Sequence, residues 1–389
     1  MNPEALQRVL DNAVASGHVA GVAAAVTDGR GPLFESAAGV TQKGGQQVDA
    51  DTIFWIASMT KPVTSLAAMQ LVEQGKLSLD APLGGLLPEL AHPQIVESGK
   101  FRPATRPITL RHLLTHTSGF SYAFASAEYT ALRAADPNPP APGTRAALNA
   151  PLLFEPGERW EYGISTDWVG LAVEAASGES LAAYFQNHIF APLGMADTSF
   201  TLTPAQLPRT AAVHRRQPDG TLAAPPPTLP PATEIFSGGG GLYSTLADYQ
   251  KFLRVFLSGG AGILSAHSLA EMSRNQIGSL RAGFIPSNNP AFFLGADAAP
   301  GMDSKWGLGF LIYPAKGRFG RNAGSLGWAG AANTYFWIDP VVNRAAVILM
   351  QILPSGDTGA LKTLCGFEAA VYARPKEHAI SGASNKLGN

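Results

Sequence analysis

The sequence predicts an α/β protein of the mixed α+β kind, with a sheet assembled from both ends of the chain and a mostly helical stretch inserted between them. Three observations lead there. Strand-like runs joined by tight turns cluster near the two ends, and helix-like runs with glycine stops fill the middle. The chain has 389 residues, 46% apolar and 15% charged, which is long for one compact core and favours burial.

Taken in order, the segment from Met1 to Leu10 reads as a polar-apolar helix. Val19–Val26 and Pro32–Val40 read as strands around Asp28-Gly29-Arg30-Gly31, residue types that a hairpin turn uses. Pro62–Gln74, Leu110–His116, Thr166–Ala176 and Leu181–Phe190 read as helices, and Gly75, Gly119 and Gly178 follow three of them as stop signals. Pro137–Pro142 and Pro225–Pro231 are stiff, donor-poor surface connections. Near the end, Leu308–Tyr313, Asn333–Ile338 and Arg344–Ile352 read as strands, the last two joined by a turn at Asp339-Pro340. The polar tail from Pro375 is expected to be disordered. Residues 1–65 and 236–389 then form a discontinuous sheet-bearing lobe and residues 66–235 a mostly helical one. A cleft between two such lobes is a common place for a small ligand.

Composition narrows the chemistry. The formal net charge is −1 with no long block of Lys and Arg, so nucleic acid is not an expected partner. The apolar runs fall short of the ~20 residues that span a bilayer, so no membrane association is expected. The N-terminus lacks a basic start followed by an apolar run, which makes the cytoplasm the expected location. Cys365 is the one cysteine, so neither an intramolecular disulfide nor a cysteine-rich metal site can form. His112 and His116 have the spacing of a zinc pair, but Leu113 stands where a metalloprotease carries Glu, and both read as structural. Gly238–Gly241 lacks the following Gly-Lys-Ser/Thr of a phosphate loop and reads as a turn bringing backbone close to the cleft.

The central motif is Ser58-Met59-Thr60-Lys61. Residues three apart share a helix face, and Pro62 fits a first helical turn. The following Val63–Val72 is apolar on nearly every side, as in a buried helix. Ten lysines and 26 serines give about 0.7 chance matches to Ser-x-x-Lys, so the tetrapeptide alone is a weak signal. A lysine opening an apolar helix strengthens it, because a buried ammonium needs a partner or a function. A serine hydroxyl also needs help to become a nucleophile. A cation about 4 Å from a phenol is worth roughly 4 kcal/mol at an effective dielectric near 20, enough to draw a tyrosine toward general-base range. Of nine tyrosines, Tyr162 stands out, following the Pro156-Gly157 turn and preceding a helix near Thr166, where a loop residue can point into a cleft.

These residues resemble the class C β-lactamase-like superfamily of serine enzymes, in particular its family VIII carboxylesterases. Ser58-Met59-Thr60-Lys61 matches the first motif, and Pro156-Gly157 with Tyr162 matches the second. Leu113–Gly119, Gly239–Thr245 and Gly327-Trp328-Ala329-Gly330 are also similar, over roughly residues 5 to 355. The resemblance implies an antiparallel sheet flanked by helices, with a helical lobe inserted. It implies Ser58 as nucleophile, Lys61 and Tyr162 as the proton-handling pair, and the backbone N–H groups of Ser58 and Ala331 as the oxyanion hole. Trp328, Ala329, Gly330, Ile164 and Ser165 fall at substrate-binding positions. Two departures bear on specificity. Trp328 replaces the Lys that opens the lactamase third motif, removing a cation that can hold a substrate carboxylate, and Ile164 replaces the Asn two residues after the tyrosine. Both favour a small, short-acyl ester over a β-lactam, with no metal or organic cofactor required. The same Ser-Lys-Tyr set could instead serve a β-lactamase, a D-amino-acid peptidase or an acyltransferase. A non-catalytic sensor on the same fold is the reading from a different class.

Overall fold

The computed structural model describes residues 1–373, and the tail from Pro375 lies outside the described residues. The longest helices among the described residues are α1 (Pro3–Ala15), α2 (Thr60–Glu73), α3 (Ser165–Ser177), α4 (Leu246–Val255) and α5 (Thr358–Tyr372). The main sheet has seven strands: β1 (Gly21–Thr27), β2 (Pro32–Gly39), β3 (Lys305–Trp306), β4 (Leu311–Ile312), β5 (Leu326–Gly330), β6 (Thr334–Asp339) and β7 (Arg344–Leu349). Their order is β3-β4-β5-β6-β7-β1-β2, with every neighbouring pair antiparallel.

The continuously apolar sequence of β1, buried on both faces, explains its central place. Val22, Ala24 and Val26 join Trp337, Ala346 and Ile348 on one face, under Leu6 and Leu10 of α1 and Phe367 and Val371 of α5. Ala23 and Ala25 join Val347 and Leu349 on the other, packed with α2 and with Tyr249 and Phe252 of α4. Every residue of α2 from Thr60 to Leu71 is buried, as its all-round apolar sequence requires, and α2 packs against α3. Residues 66–235 also hold the helices Ala127–Ala135 and Leu181–Phe185 and short two- to four-residue strands.

Several elements differ from the sequence expectation. Leu308–Tyr313 forms only the two-residue β4, because Gly309 takes a positive φ of 100° and Gly307 N–H bonds Phe310 O, folding the chain back onto β3. Arg344–Ile352 ends as a sheet strand at Leu349, and Ile352–Leu353 instead pairs in parallel with His214–Arg215. Leu181–Phe190 is α-helical to Phe185 and then opens into a π turn, Gln186–Phe190. Leu110–His116 stops at Leu114, and His116 adopts a left-handed φ of 55°. Among the described residues no helix is long and apolar enough to cross a membrane.

Candidate active site

Ser58 lies in a short 3-10 turn, Ala57–Met59, that runs directly into α2. Ala57 holds a left-handed φ of 44° without being glycine. The surroundings fix this sparsely populated conformation: Thr60 Oγ1 donates to Ala57 O at 2.7 Å, and Ile56 N–H bonds Leu242 O at 3.0 Å. From Ile56 to Leu71, Ser58 is the one residue that is not buried. The turn therefore presents a single hydroxyl to open space while everything around it is packed.

Lys61 is fully buried. Its Nζ donates to Ser58 Oγ at 3.2 Å, Tyr122 OH at 3.1 Å and Gly239 O at 2.7 Å. Three donors meet three acceptors, which satisfies an ammonium held out of water. The same nitrogen lies 4.7 Å from the Tyr162 ring centroid and 5.3 Å from that of Tyr122. Gly239 is held in turn by Asp167, whose Oδ1 accepts its N–H at 3.0 Å and the Ser237 hydroxyl at 2.7 Å. A Cβ at Gly239 would stand 2.7 Å from Asp167 Oδ2 and 3.0 Å from Tyr122 OH, so only glycine lets this backbone reach the lysine.

Tyr162 is 6% exposed, and its oxygen accepts the Trp328 indole N–H at 3.3 Å. Among the described residues its hydroxyl makes no hydrogen bond to Ser58 or Lys61; it meets the lysine through its ring. Glu161 N–H bonds His116 O at 2.9 Å, and a Cβ at Gly163 would fall 2.4 Å from Phe120 O, so the segment from His116 to Ser121 clamps the tyrosine loop from both sides. The His116 ring packs 4.9 Å from that of Tyr162. Burial, helped by the Lys61 charge, drives the His116 imidazole well below its ordinary pKa, so it is neutral. Burial raises Tyr122 well above the ordinary phenol value, with Asp167 and then Tyr162 adding to it, so Tyr122 keeps its proton.

Ser58, Tyr162, Trp328, Ala329, Gly330 and Ala331 line one largely apolar cavity of about 380 Å³. Gly330 lets β5 pass beside the nucleophile turn: a Cβ there would lie 2.3 Å from Ile56 O and 2.2 Å from Thr334 Oγ1. Two expected substrate-binding positions lie elsewhere. Ser165 is fully buried in the first turn of α3 and bonds Ser118 Oγ at 2.8 Å, because the helix phase turns it away from the opening. Ile164 faces a second cavity of about 390 Å³ beside Tyr122. The sequence reading missed Tyr122, which bonds Lys61 from a distant segment, and Asp167, which holds the Gly239 backbone that does the same. His112 closes a capping box with Thr109, and among the described residues no cluster of His, Cys, Asp or Glu is built to hold a metal.

Comparison with known proteins adds an independent line. Residues 6–368 match the family described as Beta-lactamase. Lovastatin esterase of Penicillium rubens is 32% identical over 379 residues, covering 88% of this chain and 91% of that protein. Monacolin J acid methylbutanoyltransferase of Aspergillus terreus is 32% identical over 348 residues, covering 84% and 83%. Among solved structures, unliganded simvastatin synthase from Aspergillus terreus superposes with a TM-score of 0.82 at 29% identity, covering 97% of this chain and 100% of that one.

Proposed function

The chain belongs to the β-lactamase family, and from that premise we propose that it is a serine carboxylesterase that hydrolyses small, short-acyl esters through an acyl-enzyme on Ser58. The observation that carries this reading is the fully buried Lys61 bonded to Ser58 Oγ at 3.2 Å, at the mouth of a cavity lined mostly by apolar groups.

Ser58 Oγ attacks the ester carbonyl, and its proton passes to the oxygen of Tyr162, the general base beside the Lys61 cation. The carbonyl oxygen, now negative, is received by the N–H groups of Ser58 and Ala331, where preorganised donors contribute most to lowering the barrier. Trp328 fills one acceptor position of the Tyr162 oxygen and so fixes its orientation. The alcohol leaves with a proton from the same pair, and water repeats the sequence to release the acid. Tyr122 keeps its own proton and orients Lys61. Trp328 supplies no cation for a lactam carboxylate, and the Arg321 guanidinium at the cavity wall is already held by Glu368. The reading includes the division into residues 1–65 with 236–389 and 66–235, with the site between them.

Acyl transfer to a small acceptor is a second reading, favoured by the 32% identity to a methylbutanoyltransferase. With p-nitrophenyl butyrate the enzyme is expected to give a burst of product equal to enzyme if deacylation limits, and nitrocefin is expected to be turned over far more slowly. Wild-type turnover by Ser58→Ala would end the proposal. Butyryl ester formed from an added alcohol, in preference to butyrate, would select transfer.

A further inference from the structure

One wall of the catalytic cavity is built by residues 284–297, a segment outside the Ser58, Tyr162 and Trp328 motifs. It starts and ends as a short antiparallel pair, Phe284–Ile285 against Ala296–Asp297. Ile285, Phe292, Phe293 and Ala296 line the same cavity as Ser58 and Tyr162. The rings of Phe292 and Phe293 stand 5.3 and 5.5 Å from that of Phe124, which also lines it. Phe124 stacks in turn on Tyr122, at 4.9 Å and 16°, and Tyr122 is bonded to Lys61. The aromatic wall is thereby referenced to the catalytic lysine. It is also assembled from two distant parts of the chain, so its position depends on how the segment is anchored.

The anchors are specific. On the Phe124 side they come from Asn288. Its N–H donates to Phe124 O at 2.6 Å, and its Nδ2 donates to Thr130 Oγ1 at 2.7 Å and to Ser126 O at 3.5 Å. Thr130 Oγ1 donates onward to Ala123 O at 2.8 Å, so the asparagine is tied to both neighbours of the Phe124 turn. On the opposite side, Leu294 N–H bonds Ser355 O at 3.0 Å and Ser355 N–H bonds Phe292 O at 2.8 Å. Arg215 Nη1 donates to Ala291 O at 3.2 Å. Within the segment, Ser287 Oγ donates to Phe293 O at 2.5 Å, and Arg281 pairs with Asp297 at its base. A segment held from two sides cannot swing aside when a larger group presses on its rings.

We propose that residues 284–297 set the upper size of the ester that the cavity accepts, with Phe292 as a wall that meets the substrate and Asn288 as the positioning residue that pins this wall against Phe124. The proposal rests on the Ser58 esterase reading and deepens it: compact esters are selected because a fixed aromatic wall rejects longer ones by steric conflict. At about 380 Å³ the cavity is at the small end for an organic ligand, so a modest shift of one wall changes what fits. Asn288 and Thr130 are both exposed, so replacing either leaves the core packing in place.

The test uses the full-length enzyme and two ester series. One holds p-nitrophenol constant and lengthens the acyl chain from acetyl to octanoyl; the other holds butyrate constant and enlarges the alcohol from methyl through cyclohexyl to 2-naphthyl. The readout is the ratio of kcat/KM for the largest over the smallest ester of each series. Phe292→Ala is expected to raise this ratio about tenfold or more in the series whose varied group meets the wall. Asn288→Ala and Thr130→Val should raise it in the same series by about threefold, the weight of one neutral hydrogen bond. Thr130→Ser keeps the hydroxyl and should keep the parental ratio. The proposal is overturned if Phe292→Ala leaves both ratios unchanged, or if Asn288→Ala and Thr130→Val lower kcat/KM for all esters alike, as a merely structural role would. Should Phe292→Ala fail to fold, the two surface substitutions decide. Parental turnover of p-nitrophenyl acetate by Ser58→Ala would instead defeat the underlying esterase reading, so the two failures are distinguishable.

Discussion

Replacing Gly330 by alanine tests how closely the third motif is registered on the nucleophile. The added Cβ would stand 2.3 Å from Ile56 O and 2.2 Å from Thr334 Oγ1. The threonine can rotate away, but Ile56 O is backbone two residues before Ser58. Restoring ordinary contact requires β5 to withdraw from the Ser58 turn by roughly 1 Å. Ala331, whose N–H serves the oxyanion in the proposed mechanism, moves with it. A displacement of about 1 Å in a reacting constellation costs about 100-fold, comparable to loss of one oxyanion donor. Overpacking should also lower stability by about 1–3 kcal/mol. The assay is kcat with p-nitrophenyl butyrate, together with burst amplitude and a thermal unfolding curve. Thr334→Ala added to Gly330→Ala should not restore activity, since the backbone clash persists. A folded Gly330→Ala enzyme with kcat within about twofold of the parent would refute the reasoning.

Three further outcomes are expected. Tyr122→Phe removes one of the three acceptors of the buried Lys61 ammonium; a hydrogen bond to a charged group is worth about 1.5–3 kcal/mol, so kcat should fall roughly 10- to 100-fold with the fold intact by circular dichroism. His116 is held neutral by burial, its folded pKa lying below its unfolded one, so its contribution to stability is complete above about pH 6.5 and is lost as pH falls below that value. His112 and His214 act in the same direction. The melting temperature should therefore drop between pH 7 and pH 5, and His116→Gln should show a shallower drop. Glu368→Leu leaves the buried Arg321 without its two hydrogen bonds and should cost about 3–5 kcal/mol in urea unfolding, whereas Arg321→Met with Glu368→Leu should recover most of that loss.

What could be read from the chain follows the range of the forces involved. The β1–β2 hairpin was legible because two strand-like runs and the Asp28–Gly31 turn between them are local, and the two strands pair across that turn. The start of α2 was legible because Pro62 and an apolar run specify a buried helix together. Leu308–Tyr313 looked like a full strand because nothing in its apolar character announces the left-handed Gly309. The helix α5 places Ala360, Leu364, Phe367 and Val371 at helical spacing, yet Gly359 and Gly366 weaken its intrinsic preference, and packing on the sheet decides the matter. In the site, Ser58 and Lys61 meet because they share one turn of chain. Tyr122 meets Lys61, and Asp167 meets the Gly239 backbone beside it, only through tertiary packing, and no local pattern marks either. Ser165 was misplaced for a related reason: one step along a helix rotates a side chain by about 100°, enough to turn it from an opening into the interior.

The position of β1 also governs when the molecule can become active. Ala23 pairs with Leu349, so β1 lacks one of its two neighbouring strands until residue 349 has emerged. Contacts so distant in sequence close slowly. Until then Val22, Ala24 and Val26 have no partner strand on their β7 side and no α5 to cover them. A chain halted before residue 344 would consequently present a bare apolar edge rather than a partly working catalyst, and it should be recovered in aggregates.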